Sequence, residues 1–68
     1  MDELLTVSQT AKILKVNPTT VYKLIKQGYI RCLKLGGKKI RRKTLEDFME
    51  NYEGYEIDLD GTPTKLEE

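Results

Sequence analysis

Thr6-Val7-Ser8-Gln9-Thr10-Ala11-Lys12-Ile13-Leu14-Lys15-Val16-Asn17-Pro18-Thr19-Thr20-Val21-Tyr22-Lys23-Leu24-Ile25-Lys26-Gln27-Gly28 contains two helix starts in quick succession. Thr6 followed three residues later by Gln9 matches a capping box, in which the two side chains satisfy each other's backbone amides. Val7, Ala11 and Leu14 then recur at i, i+4 and i+7, giving one buried stripe with Ile13 sealing a flank. Lys12 and Lys15 fall off the stripe, and the helix is expected to end near Leu14 or Lys15. Asn17-Pro18 opens the second helix. Asn is a strong N-cap, and Pro suits the first helical position because the N–H it lacks would be unpaired there.

The second helix is expected over residues 18–27, burying Val21, Leu24 and Ile25. Its outward face holds Thr19, Lys23 and Lys26, with Thr20 and Gln27 beside them and Tyr22 on a border; Gly28 ends it. Only Lys15-Val16-Asn17 separates the helices. So short a link forces a sharp crossing, the helix-turn-helix arrangement. Ala11 lets the two helices approach closely, and Val16 is expected to fill the corner between them.

Downstream, the apolar period changes. Leu33 and Leu35 alternate with Lys34, Gly36-Gly37 interrupts, and Ile40 follows among Lys38, Lys39, Arg41 and Arg42. Gly accepts the positive φ of a tight turn, so a hairpin is expected with Leu33, Leu35 and Ile40 facing the core. Its tip would carry Gly36, Gly37, Lys38 and Lys39. A third helix is expected over 43–52, with Leu45, Phe48, Met49 and Tyr52 as its buried stripe and Glu46, Asp47, Glu50 and Glu53 outward. Gly54 ends it. The fold class is thus mainly α with a small β-hairpin, a domain over residues 1–54. Residues 55–68 read as an acidic, flexible tail in which 55–59 is a candidate short strand.

Charge is segregated along the chain. Eleven basic residues and no acid lie between Leu4 and Leu45, while nine of the eleven acids lie from Glu46 onward. A surface loaded with one sign repels itself, so such a block points to a polyanionic partner, above all nucleic acid. The aromatic platform of single-strand readers is missing, which favours duplex DNA over RNA.

Composition narrows the function further. With no His and a single Cys, Cys32, neither a Cys/His zinc site nor a Ser-His-Asp or Cys-His catalytic group can be assembled from one chain. No cofactor is expected, and an enzyme is a poor reading. Cys32 is expected to be a half-buried small residue near a strand. No apolar run is long enough to span a membrane or serve as a signal peptide, so a cytoplasmic location is expected.

The order of parts resembles a known family. Leu5-Thr6-Val7-Ser8-Gln9-Thr10-Ala11-Lys12-Ile13-Leu14, then Val16-Asn17-Pro18-Thr19-Thr20-Val21-Tyr22, Gly28, Leu33-Lys34-Leu35-Gly36-Gly37 and Leu45-Glu46-Asp47-Phe48 together resemble the excisionase-like, MerR-related DNA-binding domains. The resemblance implies a winged helix-turn-helix: a helix-turn-helix, a two-stranded wing and a third helix. It implies a recognition helix presenting Pro18, Thr19, Thr20, Tyr22, Lys23, Lys26 and Gln27 to the major groove. The wing would contact the minor groove or backbone through Lys34, Gly36, Gly37, Lys38, Lys39, Arg41 and Arg42. Lys15 stands where the family often has Gly, and a left-handed conformation there would cost roughly 1–2 kcal/mol.

The family includes excisionases, which bend DNA and direct recombinases, and small transcription regulators. The first role is expected here, with double-stranded DNA and an integrase as partners. A regulator occupying a promoter operator is the alternative. A protein-interaction module docking an acidic partner is the second. The long helical arm of full MerR regulators is absent, so a monomer in solution is expected, with copies assembling cooperatively on DNA.

Overall fold

Thr6 Oγ1 accepts the Gln9 amide at 3.1 Å and Gln9 Oε1 accepts the Thr6 amide at 2.9 Å, completing the capping box. From this cap the computed structural model, which describes residues 3–58 and 62–66, builds three helices and two small sheets. The element order is β1 (Leu4–Thr6), α1 (Val7–Leu14), α2 (Pro18–Lys26), β2 (Leu33–Lys34), β3 (Lys38–Arg41), α3 (Arg42–Asn51), β4 (Tyr55–Ile57) and β5 (Pro63–Lys65). It is a winged helix-turn-helix.

Both ends of the turn region close in the same way. After α1, Val16 N–H donates to Ala11 C=O and Lys15 N–H to Lys12 C=O. After α2, Tyr29 N–H donates to Leu24 C=O and Gly28 N–H to Ile25 C=O. This is the Schellman pattern, which needs a left-handed residue just past the helix. Gly28 supplies it at φ 88°, whereas Lys15 adopts φ 59°, ψ 42° despite its side chain. The left-handed step turns the chain outward, so Val16 is exposed and does not fill the corner as expected. Asn17 occupies the N-cap of α2, although its side chain makes no capping bond.

The core joins Leu5, Val7, Ala11, Val21, Leu24, Ile30, Ile40, Leu45 and Phe48. Thr10 is also fully buried, and its hydroxyl donates to the Thr6 carbonyl at 2.9 Å, so the polar group enters satisfied. Met49, expected in the α3 stripe, lies at its margin and is exposed. Tyr52 closes α3 and packs edge-on to Tyr29, with ring centroids 5.5 Å apart.

Strand register overturns one expectation. The wing has three strands, ordered β1-β3-β2 and antiparallel throughout. Leu5 pairs with Ile40, and both are buried, which fixes the inner face of the sheet. Leu33 pairs with Lys39, one residue out of phase with Ile40, so the pleat sends Leu33 to the outer face. Leu33 is 44% exposed and Leu35, in the turn beyond β2, 60% exposed; neither joins the core. The tip is Leu35-Gly36-Gly37, where Leu35 N–H donates to Gly37 C=O at 2.8 Å; Lys38 and Lys39 already belong to β3.

The expected strand after Gly54 forms at Tyr55–Ile57, and Leu59, included in that expectation, lies outside the described residues. The strand pairs with β5, a partner not foreseen in the segment expected to be a flexible tail. Ile57 packs against the core, and Tyr55 meets Tyr52 edge-on at 5.5 Å.

Candidate nucleic-acid interface

The outward face of α2 follows from its buried one. Because Val21 and Leu24 are drawn into the core, Pro18, Thr19, Tyr22, Lys23 and Lys26 are exposed on the other side. Thr20 is half-buried beside them, and Gln27 is exposed just past the helix. No acid occupies the first turn and no side chain caps it, but Pro18 has no N–H and the Thr20 N–H donates to the Asn17 carbonyl at 3.0 Å, so the dipole more than a row of free amides favours an anion there.

The wing stands beside this helix. Ile40 marks the inner face, so the pleat places Lys38 on the same side and Lys34, its register partner, with it. Lys38 Nζ lies 5.4 Å from the Tyr22 ring centroid, so the wing touches α2 directly. Tyr22 packs against the wing. At the tip, Gly36 has φ 66° and Gly37 φ 151°, and a Cβ at Gly37 would lie 3.5 Å from the Lys39 ammonium. The Lys39 side chain therefore reaches back toward the tip even though its Cβ starts on the outer face.

Ion pairing divides the expected basic residues. Lys23, Lys26, Lys34 and Lys39 form no ion pair among the described residues. Arg42 does: it is the first residue of α3, not part of the wing, and lies 3.7 Å from both Glu3 and Glu46. Neighbouring Lys43 meets Asp47 at 3.7 Å. These are exposed pairs, worth about 0–1 kcal/mol, but they partly neutralise the start of α3. Arg41 ends β3 on the outer face and lines a cleft with Arg31, Cys32, Leu33 and Thr44. The sequence left Arg31 unassigned; its place beside Arg41 depends on tertiary folding that no local pattern announces. Cys32 is half-buried just before β2, as expected.

The structure thus puts Thr19, Tyr22, Lys23 and Lys26 on the exposed side of α2 and Lys34 and Lys38 on the wing face that meets it at Tyr22, and sets Arg41, on the opposite wing face, and Arg42, in α3, apart. Among the described residues no cluster of His, Cys, Asp or Glu is placed to hold a metal, and no helix is long and apolar enough to cross a membrane.

No curated protein and no solved structure shows significant similarity to the chain. Its sequence does match a family described as helix-turn-helix domain over residues 4–52, the stretch that runs from β1 through the cap of α3. A match over most of the chain, coinciding with the two crossed helices and the wing, establishes that this protein belongs to the helix-turn-helix domain family.

Proposed function

We propose that the protein binds duplex DNA through α2 and the inner face of the wing, and that it does so as an excisionase-type protein in the cytoplasm. The observation that carries the proposal is the unpaired cationic surface of Lys23, Lys26 and Lys34, continued by Lys38 on Tyr22. In a helix-turn-helix the second helix enters the major groove, and the wing then lies over the adjacent backbone. Phosphate contacts by these lysines supply affinity through counterion release, whereas Thr19, Thr20 and Gln27 are placed to read base edges. The protein acts by binding and shaping DNA, not by catalysis. The excisionase role draws its support from the ordered resemblance of both helices, the wing and Leu45-Glu46-Asp47-Phe48.

The test has two arms. Affinity against salt is measured for wild type and for a Lys23→Ala/Lys26→Ala/Lys38→Ala variant. Loss of three phosphate contacts flattens the logarithmic slope by about 2.7, at about 0.9 each. An unchanged affinity and slope would refute DNA binding by this surface. Footprinting and circular-permutation gels across the protein's own locus then examine the role. Several adjacent protected sites with bending support excision; one unbent site over a promoter supports a transcription regulator instead.

A further inference from the structure

Two adjoining hollows beside the outer face of the wing share Arg31, Arg41 and Thr44. Cys32 and Leu33 complete the first, while Tyr29, Asp47, Phe48, Asn51 and Tyr52 line the second. Neither belongs to the DNA surface, since Lys34 and Lys38 stand on the inner face of the sheet and Arg41 on the outer. Arg31 forms no ion pair among the described residues. Two guanidinium groups lining one cleft repel each other, and an anion between them relieves the repulsion. Their planar forks match phosphate oxygens in pairs. Thr44, in the first turn of α3, adds a hydroxyl where the helix dipole also favours negative charge.

The walls on either side decide what such a phosphate carries. Cys32 and Leu33 offer little hydrogen bonding. On the other side Thr44, Asp47 and Asn51 recur at i, i+3 and i+7 and form one column along α3. Seven residues of helix advance about 10 Å, which matches the reach from phosphate to far base edge in a nucleoside monophosphate. Tyr29 and Tyr52, edge-on at 5.5 Å, and Phe48 supply an aromatic wall. The Asp47 carboxylate repels a second phosphate and accepts N–H groups in pairs. Guanine presents two such groups side by side, N1–H and N2–H, with O6 next to them for the Asn51 amide. Asp47 also meets Lys43 at 3.7 Å, an exposed pair that yields at little cost. The second hollow holds about 370 Å³, near the lower end for small-molecule sites, which fits one nucleotide and not two.

We propose that this groove binds a guanine mononucleotide, its phosphate on Arg31, Arg41 and Thr44 and its base edge on Asp47 and Asn51. The site lies apart from α2 and the inner wing. It goes beyond DNA binding and is measured first without DNA, so its failure and the failure of the proposed function are separate results.

Amide resonances of the full chain are followed by heteronuclear NMR as guanosine monophosphate, adenosine monophosphate or inorganic phosphate is added, up to about millimolar concentration. The guanine nucleotide moves resonances within residues 28–32 and 41–52. It binds about tenfold more tightly than the adenine nucleotide, the worth of one further hydrogen bond to a carboxylate. Asp47→Asn removes that preference and keeps phosphate binding, whereas Arg31→Gln weakens all three ligands by roughly tenfold. Both side chains are exposed, and resonances far from the groove report that each variant keeps its fold. A short DNA duplex added to the nucleotide complex leaves the shifts in place. Absence of localised shifts overturns the proposal. Equal affinities for the two nucleotides and inorganic phosphate reduce the groove to a general anion site and overturn it too. Displacement by the duplex assigns the arginines to the DNA backbone, with the same consequence.

Discussion

Lys38 stands over the ring of Tyr22, its Nζ 5.4 Å from the centroid, and this is the direct link between the wing and the second helix. A cation held on a ring face at an exposed site contributes about 0.5–1 kcal/mol. We predict that Tyr22→Ala weakens duplex binding roughly two- to five-fold by that loss, while Tyr22→Phe, which keeps the ring, binds like wild type. Fluorescence anisotropy at one fixed salt concentration measures both. Equal losses for Phe and Ala would assign the effect to the hydroxyl, not to the ring and Lys38.

The cations at the start of α3 should behave differently from those of α2. Arg42 and Lys43 already face Glu3, Glu46 and Asp47. Arg42→Ala/Lys43→Ala is therefore expected to leave the salt slope of DNA binding nearly unchanged. Lys23→Ala/Lys26→Ala, with the same loss of formal charge, should flatten it by about 1.8. Identical slopes for the two double variants would show that net charge, and not the placement of charge, governs binding.

Lys15 carries a backbone cost that a glycine would relieve. At φ 59° its Cβ crowds the carbonyl, a penalty of roughly 1–2 kcal/mol, set against the greater unfolded-state freedom of Gly. Lys15→Gly is expected to stabilise the fold by about 0.5–1 kcal/mol. Urea denaturation should show a higher midpoint with an unchanged slope; a lower midpoint contradicts the strain argument.

Register can be tested by comparing two wing residues of similar hydrophobicity. Ile40 is buried against the helices, whereas Leu35 projects into solvent from the turn. Ile40→Ala should cost about 2–5 kcal/mol, enough to threaten folding of so small a domain, and Leu35→Ala less than about 0.5 kcal/mol. Comparable losses would place Leu35 in the core after all.

What could be read from the sequence depended on how local each signal was. The capping box at Thr6 and Gln9, the start at Asn17-Pro18 and the stop at Gly28 involve neighbours only, and the helices stand where these put them. Their ends moved by a residue: α2 stops at Lys26, and α3 runs Arg42–Asn51. The wing was harder. Alternation identified strands at Leu33 and Ile40 but could not set their relative phase, because that phase is fixed by Leu33 pairing with Lys39 across the turn, and the inner face by Leu5 pairing with Ile40. The same blindness hid β1, since Leu4–Thr6 is too short to announce itself without its partner. For the site, the cations of α2 followed from helix periodicity. Separating Lys38 from Arg41, and both from Arg42, required the pleat and the ion pairs of the folded chain.

The pairing of Leu5 with Ile40 also governs when the two crossed helices can exist at all. It joins positions thirty-five apart, well over half the span of the domain, and a contact of such long reach must await closure of everything between. Until β3 arrives, Val7, Ala11, Val21 and Leu24 lack the lid that Ile40 and Leu45 provide. A nascent chain of which only the first thirty residues have emerged accordingly holds the second helix in sequence but not the surface it packs against. Synthesis must pass the wing before the protein can recognise anything, and the wing and the helix it flanks become competent at the same moment.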